Sequence, residues 1–142
     1  MFLSVFQSDR LKYCIFKLTQ KETFSVCDNE PKSLANPLEK FFGDLPDKDC
    51  RIGLYSTEVD LHYSEGLKPI KSNKIVFIIW IPENAPAKKK AIYTAGKDAL
   101  RFQFGSVQTE WTLRERFEGC FKSELKNMLE KSLCGQKVLT LR

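Results

Sequence analysis

The segment Lys74–Ile81, KIVFIIWI, limits the possible folds more than any other part of the chain. It is an almost unbroken apolar run rich in β-branched and aromatic residues, and Pro82 closes it. About seven apolar residues cannot cross a membrane, which takes roughly 20. The run has the length of one strand, yet no polar residue alternates through it. Such a strand is stable only with both faces covered. The chain must therefore place structure on each side of a sheet.

The remaining segments can supply those layers. Lys12–Leu18 reads as a strand, and Thr23–Val26 alternates apolar with polar residues, which predicts a hairpin through Thr19–Glu22. Asp28-Asn29-Glu30-Pro31 carries turn chemistry and should end it. Leu34–Phe42 has helical spacing at 34, 38, 41 and 42, with Gly43 as a C-cap glycine. After a loop, Arg51–Val59 reads as a strand with Ile52, Leu54 and Ser56 on one face, and Glu65-Gly66 and Lys68-Pro69 mark a turn. Pro86 is a helix start signal. That helix runs from Ala87 to Phe104, stops at Gly105, and has apolar positions at 91, 92, 95, 99 and 102, with 103–104 beside them. Val107–Leu113 alternates as a strand. Ser123–Leu133 has helical spacing with Ser123 as cap, and Lys137–Leu141 reads as a last strand. The order β-β-α-β-β-α-β-α-β predicts an α/β domain, a central mixed sheet with helices on both faces. The 142 residues, 42% hydrophobic and 29% charged, suit one such domain over residues 1–142.

Catalytic chemistry is hard to assemble from these residues. His62 is the single histidine, and a thiol dyad would have to bring it to Cys50 or Cys14. There is no phosphate-binding GxxxxGK[ST] or GxGxxG. The acidic residues lack metal-ligand spacing, and none of the five cysteines forms a CxxC pair. The sequence thus predicts a binding protein rather than an enzyme, with free thiols and no cofactor. Lys plus Arg is 23 against 18 Asp plus Glu, a net charge of +5, which suits an acidic protein surface or anionic lipid. Lys88-Lys89-Lys90 sits at a helix start, where positive charge opposes the macrodipole. No aromatic residues interleave with it in the manner of a nucleic-acid platform.

Lys74–Arg101, KIVFIIWIPENAPAKKKAIYTAGKDALR, closely resembles the actin-depolymerising factor/cofilin family. Pro82, Ala85 and Pro86 match the family's turn, and Lys88 and Lys90 its two spaced basic positions. Ile92-Tyr93 and Lys97-Asp98-Ala99 match its helix signature. Leu45–Arg51 with Leu54-Tyr55, and Glu110-Trp111, match on either side. The tail, Glu130-Lys131 through Val138–Leu141, looks like that of animal cofilins. The resemblance covers about residues 12–142. It implies the actin-depolymerising-factor homology, gelsolin-like fold: five or six strands between helix pairs. It also implies binding to actin monomers and filaments, severing and depolymerisation, competition by phosphoinositide lipids, a monomeric state, and a place at the cytoplasmic actin cytoskeleton and nuclear matrix.

Carried over by the resemblance, Lys88 and Lys90 would face actin, with Ala91, Ile92, Tyr93 and Thr94 in the same segment. Lys71 and Lys74 would begin a second, filament-specific surface, completed by Lys126, Glu130 and Lys131. Three departures weigh against full activity. The family's methionine beside the basic pair is Ala91, and its two serines are Ala95 and Gly96. The family's first helix is missing, so residues 1–11 form a truncated or atypical N-terminus. Met1–Gln7 is expected to fold back over the sheet face that this helix would cover, or else the domain is weakly stable. Ser4 is the candidate for an inhibitory phosphorylation site. The alternative is a weakened or binding-only relative that holds actin or phosphoinositide without remodelling filaments.

Overall fold

The computed structural model describes residues 11–18, 24–31, 35–62, 68, 70–104, 107, 109–116, 119–132 and 137–141. Among the described residues, six strands and three helices follow in the expected order: β1 (Leu11–Leu18), β2 (Phe24–Pro31), α1 (Pro37–Asp44), β3 (Arg51–His62), β4 (Ile70–Trp80), α2 (Ala87–Phe104), β5 (Thr109–Leu113), α3 (Phe121–Ser132) and β6 (Lys137–Leu141). The sheet runs β2-β1-β3-β4-β5, with β6 beside β3. It is mixed: β4 and β5 are parallel and the other pairs antiparallel. The helical crossover α2 is what allows β4 and β5 to lie parallel.

β3 organises the sheet. One edge pairs with β4 from Arg51↔Trp80 to Leu61↔Ile70. The other edge is shared, with β1 on residues 52–55 and β6 on residues 59–62. The apolar run of β4 has both faces covered, as its composition demands. Val76, Ile78 and Trp80 join Leu38, Phe41 and Phe42 of α1 and Leu125 and Leu129 of α3. Phe77 and Ile79 join Tyr93, Leu100 and Phe104 of α2.

Several local expectations are corrected. β2 does not stop at Val26 but continues through Asp28-Asn29-Glu30 to Pro31, paired with β1 across two register shifts. It is an edge strand, where proline and bulges are tolerated. α1 begins at Pro37, behind a left-handed Asn36 at φ 50°. Gly43 lies inside the last turn of α1, and Leu45 is the C-cap. α3 starts at Phe121, so Ser123 is not its cap. The Phe121 ring stacks on Phe42 at 4.1 Å, a tertiary contact that carries the helix start back. The inward positions of α2 are Tyr93, Leu100 and Phe104, whereas Ala91, Ala95, Ala99 and Phe102 face solvent. The Glu65-Gly66 turn, residues 1–10 and with them Ser4 and the fold-back of Met1–Gln7 lie outside the described residues.

Candidate functional site

The N-terminus of α2 is held by a turn the sequence specifies. The Ala85 N–H donates to the Pro82 carbonyl at 3.1 Å, and the Lys90 N–H to the Pro86 carbonyl at 3.1 Å. Proline at 86, just ahead of α2, leaves no backbone donor there to satisfy. Behind the turn, the loop 45–50 is clasped to the sheet. Trp80 Nε1 donates to the Pro46 carbonyl at 2.6 Å. The Arg116 guanidinium lies 5.0 Å from the Trp80 ring centre and donates to the Phe42 and Leu45 carbonyls and to Asp47. That loop leads to Asp49, whose Oδ2 accepts from Arg51 at 2.8 Å. Burial pushes the Asp49 carboxyl up. The Arg51 and Cys50 hydrogen bonds and the charges of Arg51 and Lys89 outweigh that and hold it below its ordinary value.

Farther along, α2 is pinned to β5. Lys97 and Arg101, one turn apart, both reach Glu110, at 2.8 and 3.0 Å. Arg101 also donates to the Val107 carbonyl at 3.2 Å. The hydrogen bond from Lys97 to Glu110 raises the lysine's pKa above its ordinary value despite burial. Sequence reasoning noted Lys97 and Glu110 as family matches but assigned them no work. The four-residue spacing of Lys97 and Arg101 was legible; their shared partner was not.

The expected contact residues separate. Residues two apart on a helix point about 200° from each other. Lys88 is exposed, while Lys90 is half-buried and donates to the Glu83 carbonyl at 2.8 Å. Ala91 and Thr94 are exposed and Ile92 is half-buried. Tyr93 belongs to the core: it is 0% exposed, and its hydroxyl accepts from the Leu18 N–H at 2.8 Å. It fixes α2 to β1 rather than offering a surface. Lys88, Ala91, Ala95, Asp98 and Phe102 follow one another along the side of α2 opposite Tyr93, Leu100 and Phe104.

At the second surface, Lys71 pairs with Asp60 and Lys74 with Thr57 across the β3–β4 ladder. Three residues apart on a strand, they point to opposite faces. Lys74 shares the face of α1 and α3, Lys71 that of α2. On α3, Lys131 joins Glu110, Trp111, Glu124, Asn127 and Met128 around an open groove of about 490 Å³ beside β5. Lys126 and Glu130, four residues apart, lie on the other flank of the helix. β6 lies beside the far end of β3, so the β3–β4 ribbon and the segment following α3 meet at one end of the sheet.

The thiol dyad fails on backbone distance alone. His62 ends β3 while Cys50 immediately precedes it, roughly 35–40 Å away at about 3.3 Å per residue. Cys14 pairs with Leu54, eight residues from His62. Burial pushes the Cys50 thiol up to about 11, and neighbouring Asp49 adds to this.

Among the described residues, the mixed sheet carries one helix on one face and two on the other, and the outer side of α2, with its basic start, is exposed. The sequence matches the family model of cofilin/tropomyosin-type actin-binding proteins over residues 2–127, and the chain belongs to that family. It is 36% identical over 121 residues to the cofilin of Schizosaccharomyces pombe, covering 85% of this chain and 82% of that protein. Saccharomyces cerevisiae cofilin is 33% identical over 101 residues, 71% of this chain and 66% of its own length. Among solved structures, Streptomyces griseoflavus cofilin superposes with a TM-score of 0.68 at 28% identity, covering 89% of both chains. Plasmodium berghei actin depolymerization factor 2 gives 0.72 at 21% identity, covering 92% of this chain and 90% of its own, and shares the fold.

Proposed function

We propose that this protein binds actin monomers and filaments, and that it severs filaments and promotes their depolymerisation. One observation carries the reading: the division of labour among the basic groups of α2. Lys97 and Arg101 are committed to Glu110, and Lys90 to the Glu83 carbonyl. Lys88 is exposed, and among the described residues no carboxylate pairs with it. It is free to meet an acidic partner surface at the start of a helix that the rest of the site holds rigid. Lys90 has two further donors on its ammonium and can join it while keeping the Glu83 carbonyl. Phosphoinositide headgroups would compete for the same cations. Filament remodelling requires a second contact, on an adjacent subunit, through Lys71, Lys74, Lys126, Glu130 and Lys131. One molecule shifts a filament's twist only if it binds the twisted state better.

Co-sedimentation with filaments at low and high salt tests the binding. The double variant Lys88→Glu/Lys90→Glu should lose most of it, and normal binding by that variant refutes the assignment. A binding-only protein is the second reading. It is favoured by the scatter of the second surface, where Lys71 and Lys74 point to opposite faces of the ribbon and Lys131 turns into the groove. Single-filament microscopy separates the two. New ends mean severing, shortening without new ends means depolymerisation, and decoration with neither supports binding only.

A further inference from the structure

We propose that Phe102 is the apolar anchor of the α2 contact with actin, a step that rests on reading α2 as the actin-binding helix. Phe102 is 87% exposed, far more than Val26 and Ile70, the other exposed large hydrophobics among the described residues. Isolated exposed apolar residues are common and need no explanation. The position of this one does. At about 100° per residue, Phe102 lies within about 20° of Ala91 and about 40° of Lys88 around the helix axis. It stands 14 residues beyond Lys88, about 21 Å along the axis. One side of a standard interface covers about 800 Å², a patch about 30 Å across. A partner seated on Lys88 and Ala91 and running along the helix therefore reaches Phe102.

The helix between them is cleared for such an approach. The outward line carries only Ala91, Ala95 and Asp98, while Lys97 and Arg101 turn aside to Glu110. The surface is then a strip with a cation at one end, an aromatic ring at the other and the exposed Asp98 carboxylate between them. The core side of the helix is held by Tyr93, Leu100 and Phe104 without any help from Phe102. The ring is left in water at no benefit to the fold.

The test is equilibrium binding of labelled monomeric actin to the full chain, with Phe102→Ala, Phe102→Leu and the Lys88→Glu/Lys90→Glu variant side by side. Phe102→Ala should weaken binding about tenfold or more, Phe102→Leu less, and thermal unfolding of both should match the parent. The loss should be the same at low and high salt, because the contact is apolar. The loss in the lysine variant should shrink as salt screens the charges. Full affinity in Phe102→Ala with weak binding by the lysine variant overturns the anchor and leaves the proposed function standing. Full affinity in both overturns the reading of α2 itself. A parent that dimerises in sedimentation, with Phe102→Ala monomeric and fully active on actin, overturns the anchor in favour of a second copy of this chain.

Discussion

Replacing Gly53 by alanine measures how closely the α1 layer is fitted to the sheet. A Cβ at this position would stand 2.8 Å from both Cε2 and Cζ of Phe41. Carbon atoms pack best at about 3.5–4.0 Å, so ring or strand must retreat by about 0.7 Å. The ring has little room. It is fully buried, edge-on to Tyr13 at 5.2 Å, and 5.7 Å from both Phe42 and Tyr55. Overpacking of this kind costs about 1–3 kcal/mol. Alanine also restricts the unfolded chain, which returns about 0.4–1 kcal/mol. The expected net loss is about 1–2 kcal/mol. With a urea slope of about 2 kcal/mol per molar, the midpoint falls by about 0.5–1 M at unchanged slope. Urea unfolding followed by circular dichroism reads this directly. An unchanged or higher midpoint refutes the argument. The variant Gly53→Ala/Phe41→Leu supplies the mechanism. If the ring is the obstacle, the two substitutions together cost less than their sum, and strict additivity puts the cost elsewhere.

Two further outcomes follow from the site. Glu110→Gln leaves Lys97 and Arg101 without their carboxylate and should destabilise the domain by about 1–2 kcal/mol in urea unfolding. The folded-state pKa of Lys97 is raised, so its contribution is complete below the ordinary lysine value near 10.5 and fades as pH rises through the raised one. The parent should therefore lose stability at alkaline pH more steeply than Glu110→Gln; parallel curves would contradict the pairing. Thiol labelling with mass-spectrometric mapping at mildly alkaline pH should modify exposed Cys120 in the native protein. Cys14 and Cys50, both buried, should stay protected until unfolding. Native labelling of Cys50 at the rate of Cys120 would be inconsistent with a thiol at about 11.

The local sequence wrote the element order and the limits of α2 plainly, because proline, glycine and hydrophobic period act within a few residues. Ala87–Phe104 forms directly behind Pro86, as proline's chemistry dictates, over the range expected for it. The double-sided burial of β4 was equally legible, since the seven apolar residues Ile75–Ile81, with no polar alternation, leave no other stable use for a strand. The family motif carried the choice of candidate residues, and it fell on the helix pinned to β5 through Glu110 and to β1 through Tyr93.

What each residue of that helix does depended on contacts made at a distance. Tyr93 and Phe102 are both aromatic, nine residues apart; helical period placed Phe102 among the apolar positions of the helix, and the resemblance placed Tyr93 in its contact segment. One is sealed against Leu18 and the other stands in water, because the sheet fixes which side of the helix turns inward. The lysines of α2 are alike in sequence. A glutamate on β5 and a carbonyl in the preceding turn take three of its five basic groups, counting Arg101; Lys89 is half-buried with its charge acting on Asp49, and Lys88 is left exposed. Charge and hydrophobicity are properties of a residue. Whether a charge is satisfied or a ring is covered depends on neighbours that only the folded sheet brings within reach.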